Sequence, residues 1–191
     1  MPKSTYKISF ATKIIPQHNW DDDVLSIDKK EQIRKICDYA KRRPEIFETG
    51  NPPKNIHGAS LNVWFSGPSK EDKKTAVEII ASELKLDLFR IDLSIVVSKY
   101  IGETEKNLNT IFKDAENRDA ILFFDEADAL FGKRDRIKDS HTRYANVEIN
   151  YFLQKVEEHS GIVIIASNLS WAIDEAFQKR MNFIEDFKSQ K

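Results

Sequence analysis

At 191 residues, 40% hydrophobic and 32% charged, the chain has the length and composition of one globular domain with a sizeable core, which argues against disorder over most of it. A formal charge of −1 lacks the basic excess of a general polyanion binder, so nucleic acid is not an expected partner. The single cysteine, Cys37, cannot close an internal disulfide, no apolar run approaches bilayer length and no signal-peptide core stands at the N-terminus, so a cytoplasmic protein without a membrane span is expected.

In chain order, residues 1–20 mix Lys, Pro and polar residues without a sustained period and are expected to form an N-terminal arm, leaving 21–191 as the folded unit. From Ser26 onward, Ile27, Ile33, Ile36, Cys37 and Ala40 fall at helical spacing, and Pro44 is expected to limit that helix. Cys37 on this stripe reads as core rather than as a reactive thiol. Gly50-Asn51-Pro52-Pro53 and Gly58 mark a loop. Strand-like runs follow at Leu61–Phe65, Leu88–Leu93, Ile121–Phe124 and Ile162–Ala166, with a fainter one at Phe183–Phe187, and helix-like stretches separate them. The alternation predicts βαβ crossovers and an α/β fold whose parallel sheet is covered on both faces. The all-apolar runs Ile121–Phe124 and Ile162–Ala166 suit central strands. Ligands of such sheets sit beyond the carboxyl ends of the strands, so Gly67, Asp125, Glu126 and Asn168, which follow strands, are expected along one edge.

The run Ala120-Ile121-Leu122-Phe123-Phe124-Asp125-Glu126 is an apolar strand ending in an acidic pair, which a Mg-nucleotide-hydrolysing site requires. Asp125 suits Mg²⁺ binding through water, and Glu126 suits polarising an attacking water. The plain alternative is a strand end followed by a helix cap. Asn168 suits orienting the same water, or a simple turn. Upstream, Gly67-Pro68-Ser69-Lys70-Glu71-Asp72-Lys73-Lys74-Thr75 lies where a phosphate-binding loop belongs, yet keeps only part of G-x-x-x-x-G-K-[ST]. His18, His57, His141 and His159 lack zinc-ligand spacing, so no metal beyond Mg²⁺ is expected. Trp20, Trp64 and Trp171 are expected to pack the domain.

Four segments occur in one order and spacing: Leu61-Asn62-Val63-Trp64-Phe65-Ser66-Gly67-Pro68, Ser98-Lys99-Tyr100-Ile101-Gly102-Glu103-Thr104-Glu105, Phe124-Asp125-Glu126-Ala127-Asp128-Ala129-Leu130-Phe131 and Ile165-Ala166-Ser167-Asn168. On these the chain resembles the AAA+ ATPases from Trp20 to Phe187. Gly132-Lys133-Arg134 and the Ser140–Asn146 stretch resemble the bacterial classical-clade members. The resemblance implies a P-loop NTPase-like three-layer αβα core with about five parallel strands in the order 5-1-4-3-2. It also implies ATP-driven remodelling or translocation of macromolecules by a homo- or hetero-oligomeric, hexameric ring, with ATP and Mg²⁺ as cofactors and protein as the expected substrate. By the same resemblance Asp125 and Glu126 match the Walker B pair and Asn168 the sensor of the terminal phosphate. Arg180 matches an arginine finger that acts on the neighbouring subunit's nucleotide, while the second finger position falls at Asn182. Tyr100, between Lys99 and Ile101, matches the aromatic pore loop that grips a polypeptide; an ordinary loop aromatic is the plain reading. Lys133 to Arg143 suits a second pore loop or a solvated charge run, and Trp20-Asp21-Asp22 resembles the family segment near the adenine.

The phosphate loop departs from the family pattern. In the ungapped register Gly67 keeps the first glycine and Lys73 the lysine, but Lys70 and Asp72 stand where glycine is usual and Lys74 replaces the Ser/Thr. Side chains resist the backbone conformations of a phosphate nest, Asp72 repels phosphate unless Lys70 or Lys74 neutralises it, and Lys74 removes a Mg²⁺-ligating hydroxyl. A one-residue bulge would instead make Lys74-Thr75 the Lys-Thr pair, at the cost of turning the following helix by about 100° and displacing its stripe of Ala76, Ile79, Ile80 and Leu84. Weak or absent nucleotide binding is the expectation. The chain also stops just after the last expected strand, where family members continue into a helical lid. Two functions follow: an ATP hydrolase using Lys73, Asp125, Glu126 and Asn168, or a nucleotide-free scaffold or regulatory subunit that lends Arg180 to active relatives. A DNA-dependent AAA+ role is disfavoured by the charge and by the Lys99-Tyr100-Ile101-Gly102 loop.

Overall fold

The structure is a computed structural model that describes residues 6–48, 60–132, 140–168 and 175–188. The strands are β1 (Ala11–Ile14), β2 (Leu61–Ser66), β3 (Asp87–Asp92), β4 (Ala120–Asp125), β5 (Ile162–Ala166) and β6 (Phe183–Asp186). Four longer helices, α1 (Ile27–Glu48), α2 (Lys70–Leu84), α4 (Glu103–Asp114) and α6 (Ser140–Glu158), connect them with the single turns α3 (Leu93–Val96), α5 (Asp128–Phe131) and α7 (Glu175–Gln178). One sheet runs in the order β1-β3-β4-β5-β2-β6. Its last five strands are parallel and reproduce the expected order 5-1-4-3-2.

Alternation along each central strand divides the side chains between two helical layers. Val63 and Phe65 of β2, Ile121 and Phe123 of β4 and Ile164 of β5 face Ile33, Ile36 and Cys37 of α1 and Ala76, Ile79 and Ile80 of α2. Trp64, Leu122, Phe124, Val163 and Ile165 face the other way, onto Leu108, Ile111 and Phe112 of α4 and Phe152 and Val156 of α6. Phe124 sits at the centre of this second layer, its ring 5.5 Å from Phe112 and 5.0 Å from Phe152. Cys37 is buried as expected, and burial pushes its thiol up to about 12, so it is not a nucleophile.

Two expectations change. Pro44 does not end α1, which continues to Glu48; a proline forgoes one backbone hydrogen bond, and a helix already seated on α2 outlasts that loss. Part of the segment read as an arm is a sixth strand: β1 pairs antiparallel with β3, Ala11 opposite Ile91 and Ile14 opposite Leu88. Acidic side chains fasten this segment down. The Ser9 N–H donates to Asp114 Oδ2 (2.9 Å), Lys13 pairs with Asp87 (2.8 Å), the Gln17 N–H donates to Glu78 Oε2 (2.8 Å) and Trp20 Nε1 donates to Glu83 Oε2 (2.7 Å). Trp20 and Trp64 therefore do pack the domain, whereas Trp171, His57 and residues 133–139 of the expected second pore loop lie outside the described residues.

Candidate functional site

Parallel strands bring their carboxyl ends to one edge, and there the loops after β2, β4 and β5 meet. The loop after β2 is shorter than a phosphate nest. Only Gly67, Pro68 and Ser69 separate β2 from α2, which begins at Lys70, so Lys70, Glu71 and Asp72 form a helical first turn. Ser69 is its N-cap: the hydroxyl accepts the Asp72 N–H at 3.4 Å, and the Lys73 N–H already bonds the Ser69 carbonyl at 3.3 Å. Glu71 and Asp72 in that turn complement the helix dipole. Two backbone N–H groups of the loop, those of Asp72 and Lys73, are thus taken up by Ser69, and the chain from Lys70 on is helix instead of an open phosphate nest. Gly67 keeps a left-handed φ of +105°, and a Cβ there would meet the Phe187 carbonyl oxygen at 2.2 Å, because the end of β6 passes directly over it.

Lys73 is the buried lysine of the site, which agrees with the ungapped register. Its ammonium has three protons and finds three acceptors: the Gly67 and Ser167 carbonyls at 2.6 Å each, and Asn168 Oδ1 at 3.1 Å. Burial lowers its pKa, against the opposing pull of Asp128, Asp125 and Glu126. Lys74 is exposed and leans to Glu78 at 4.0 Å, and Thr75 is buried within α2. Lys70 does not serve Asp72 either; its ammonium reaches Glu126 Oε1 at 2.6 Å.

The acids are held as firmly. Asp125 Oδ2 accepts a hydrogen bond from Arg90 Nε of β3 at 2.8 Å and lies 2.7 Å from Nη2 of the same guanidinium, while Oδ1 accepts the Glu126 N–H at 2.9 Å. The in-register pairing of Asp92 with Asp125 sets Arg90 within reach. Glu126 turns away from the strand with a left-handed φ of +55°, and its Oε2 lies 3.4 Å from Asn168 Nδ2. Asp128 ties the loop after β5 to this cluster by accepting from Ser167 Oγ and from the Asn168 N–H. Gly67, Lys73, Asp125, Glu126 and Asn168 are therefore brought together, with Lys70, Arg90 and Asp128 added. Arg90 and Asp128 escaped the sequence reading because their partners come from other strands. A charged residue inside an otherwise apolar strand, as in Leu88-Phe89-Arg90-Ile91, was the available signal for Arg90.

Mg·ATP does not fit these residues as they are arranged. Lys70, Glu71 and Asp72 are wound into the first turn of α2, Lys73 is triply engaged, the Asp125 carboxylate is clasped by Arg90, and no hydroxyl stands at position 74. Among the described residues, no three His, Cys, Asp or Glu side chains converge as a metal-ligand set.

The remaining site residues lie elsewhere. Arg180 is near the start of β2: its carbonyl accepts from Asn62 Nδ2 (3.4 Å), its Nε sits 3.4 Å from Glu157, and Asn182 exchanges hydrogen bonds with the Asn62 backbone at 2.7 and 2.8 Å. Five residues of strand, about 16 Å, separate that end of the sheet from Gly67. Arg180 cannot reach its own chain's site. Lys99, Tyr100 and Ile101 form a tight turn before α4, with Tyr100 60% and Ile101 80% exposed and the Lys99 ammonium 5.3 Å from the Tyr100 ring centre. Ser98 braces the turn, donating to Glu103 and accepting the Tyr100 N–H.

Comparison with known proteins places this architecture. Residues 63–189 match the family described as ATPase family associated with various cellular activities (AAA). The uncharacterized AAA family ATPase y4kL of Sinorhizobium fredii (strain NBRC 101917 / NGR234) is 33% identical over 177 residues, covering 91% of this chain and 51% of that protein. The ATPase-like fidgetin of Schizosaccharomyces pombe is 28% identical, covering 94% of this chain and 29% of that protein. The chain thus spans about half, or less, of the length of these relatives. The crystal structure of the FIGL-1 AAA domain in complex with ADP superposes over 96% of this chain and 59% of its own, with a TM-score of 0.67 and 24% identity, a likeness of fold. The matched residues cover most of the chain and contain the strand-end site described above, and on that basis the chain belongs to the AAA ATPase family.

Proposed function

We propose that this chain is an AAA core that does not bind ATP itself and works as a scaffold or regulatory subunit beside nucleotide-binding AAA subunits. One observation carries the reading: α2 starts at Lys70 and winds the phosphate loop into its first turn. AAA ATPases generally use ATP with Mg²⁺, so a core without a phosphate cradle contributes to such an assembly through its surfaces. Arg180 is the natural contribution, since it faces away from its own site and suits the stabilisation of developing charge in a neighbour's. The exposed Tyr100 and Ile101 fit contact with a polypeptide substrate, and a hexameric cytoplasmic assembly is the expected setting.

A second reading, an ATP hydrolase, draws on the meeting of Lys73, Glu126 and Asn168 at one point. Glu126→Gln separates the two. A hydrolase loses turnover and retains ATP in the variant; a scaffold shows no turnover before or after the change. Loss of a measurable turnover on this substitution would overturn the scaffold reading.

A further inference from the structure

The two carboxylates at the end of β4 are each paired with a basic side chain of the chain itself. Asp125 takes Arg90, and Glu126 takes Lys70. Asp128 is held by Ser167 and the Asn168 N–H and acts, with Asp125 and Glu126, on the buried Lys73 ammonium. A site that works on Mg·nucleotide leaves part of its acidic charge for the metal to balance. Lys70 is what closes the account at Glu126, and it lies within the loop segment between Gly67 and Lys73, from which its side chain crosses to the end of β4. Its reach also depends on the wound loop, because Lys70 is the first residue of α2. The Lys70 side chain is 60% exposed and its hydrogen bond to Glu126 raises its pKa, so the pair sits at the open edge of the cluster.

We propose that Lys70 is the resident counter-cation of Glu126, taking electrostatically the place that Mg·nucleotide takes in a working AAA site. The proposal rests on the reading of the chain as nucleotide-free.

Thermal unfolding of the purified chain, Lys70→Met, Lys70→Arg and Lys70→Met/Glu126→Gln tests it, each in millimolar MgCl₂ and in NaCl of matched ionic strength. The natural chain and Lys70→Arg are expected to melt alike in both salts. Lys70→Met is expected to melt lower in NaCl and to recover selectively in MgCl₂, as the Glu126 carboxylate, left without its ammonium, draws the divalent cation. The double variant, with the Glu126 charge gone, is expected to lose that selective recovery. A Lys70→Met variant no more responsive to Mg²⁺ than the natural chain would overturn the proposal while leaving the nucleotide-free reading intact. Stabilisation of the natural chain by Mg·ATP would overturn the nucleotide-free reading on which the proposal rests.

Discussion

Removing the cap on α2 should loosen the phosphate loop without dissolving the core. In Ser69→Ala/Asp72→Gly the N-cap acceptor of the Asp72 N–H is gone and a carboxylate leaves the first turn. Loss of a serine cap costs about 1 kcal/mol. Loss of an acid beside the helix N-terminus costs about 0.3–1 kcal/mol. Glycine adds a few tenths more, since aspartate is already a middling helix former and glycine lies about 1 kcal/mol below alanine. The sum is about 2 kcal/mol, or a fall in melting temperature of about 4–8 °C for a chain of this size. Urea denaturation measures the loss, and amide hydrogen exchange locates it: protection should fall at residues 72–74 while the amides of β4 and β5 keep theirs. Unchanged exchange at these residues, or a stability within a few tenths of a kcal/mol of the natural chain, would refute the claim that the cap holds the loop in the helix.

Other substitutions probe the frame around the site. Gly67→Ala combines a left-handed φ of +105° with a Cβ 2.2 Å from the Phe187 carbonyl oxygen, so it should cost more than about 1 kcal/mol and displace residues 186–187, read as a lower urea midpoint and lost protection there. Phe124→Ala removes a fully buried ring between Phe112 and Phe152 and should cost about 3–5 kcal/mol in the same assay. His159 is half-buried against Phe112, and desolvation lowers its pKa from 6.5 to about 4. The unfolded chain therefore binds the proton more readily between those values, so the natural chain should lose stability as pH falls from about 6.5 towards 4, and His159→Gln should lose less over that window.

The sheet was legible because its strands are buried on both faces. A run such as Ile162–Ala166 has no other use in a folded domain, and all five parallel strands appear within a residue or so of their expected bounds. β1 was not legible: Ala11-Thr12-Lys13-Ile14 is a half-exposed edge strand whose pairing is decided by β3 and by the clasp of Lys13 on Asp87, neither of which a local period reports. At the site, the residue types announced a damaged phosphate loop but not its shape. Ser69 with Asp72 three residues on is a helix-start pattern, and it overlaps the loop motif; without the glycines that resist a helix, the helix prevails. Lys70, which the sequence offered with Lys74 as a neutraliser of Asp72, lies on Glu126 because helical winding carries it across to the end of β4. Arg90 and Asp128 are legible only in three dimensions, since strand pairing and the β5 loop bring their partners to them.

The most direct test of the central claim is calorimetric titration of the natural chain with Mg·ATP, beside a Lys70→Gly/Asp72→Gly/Lys74→Thr variant that restores the phosphate-loop pattern. The natural chain should give no saturable heat up to millimolar ATP, and the variant should bind. Saturable micromolar binding by the natural chain would contradict the account, because the loop wound into α2 would then have to unwind at little cost.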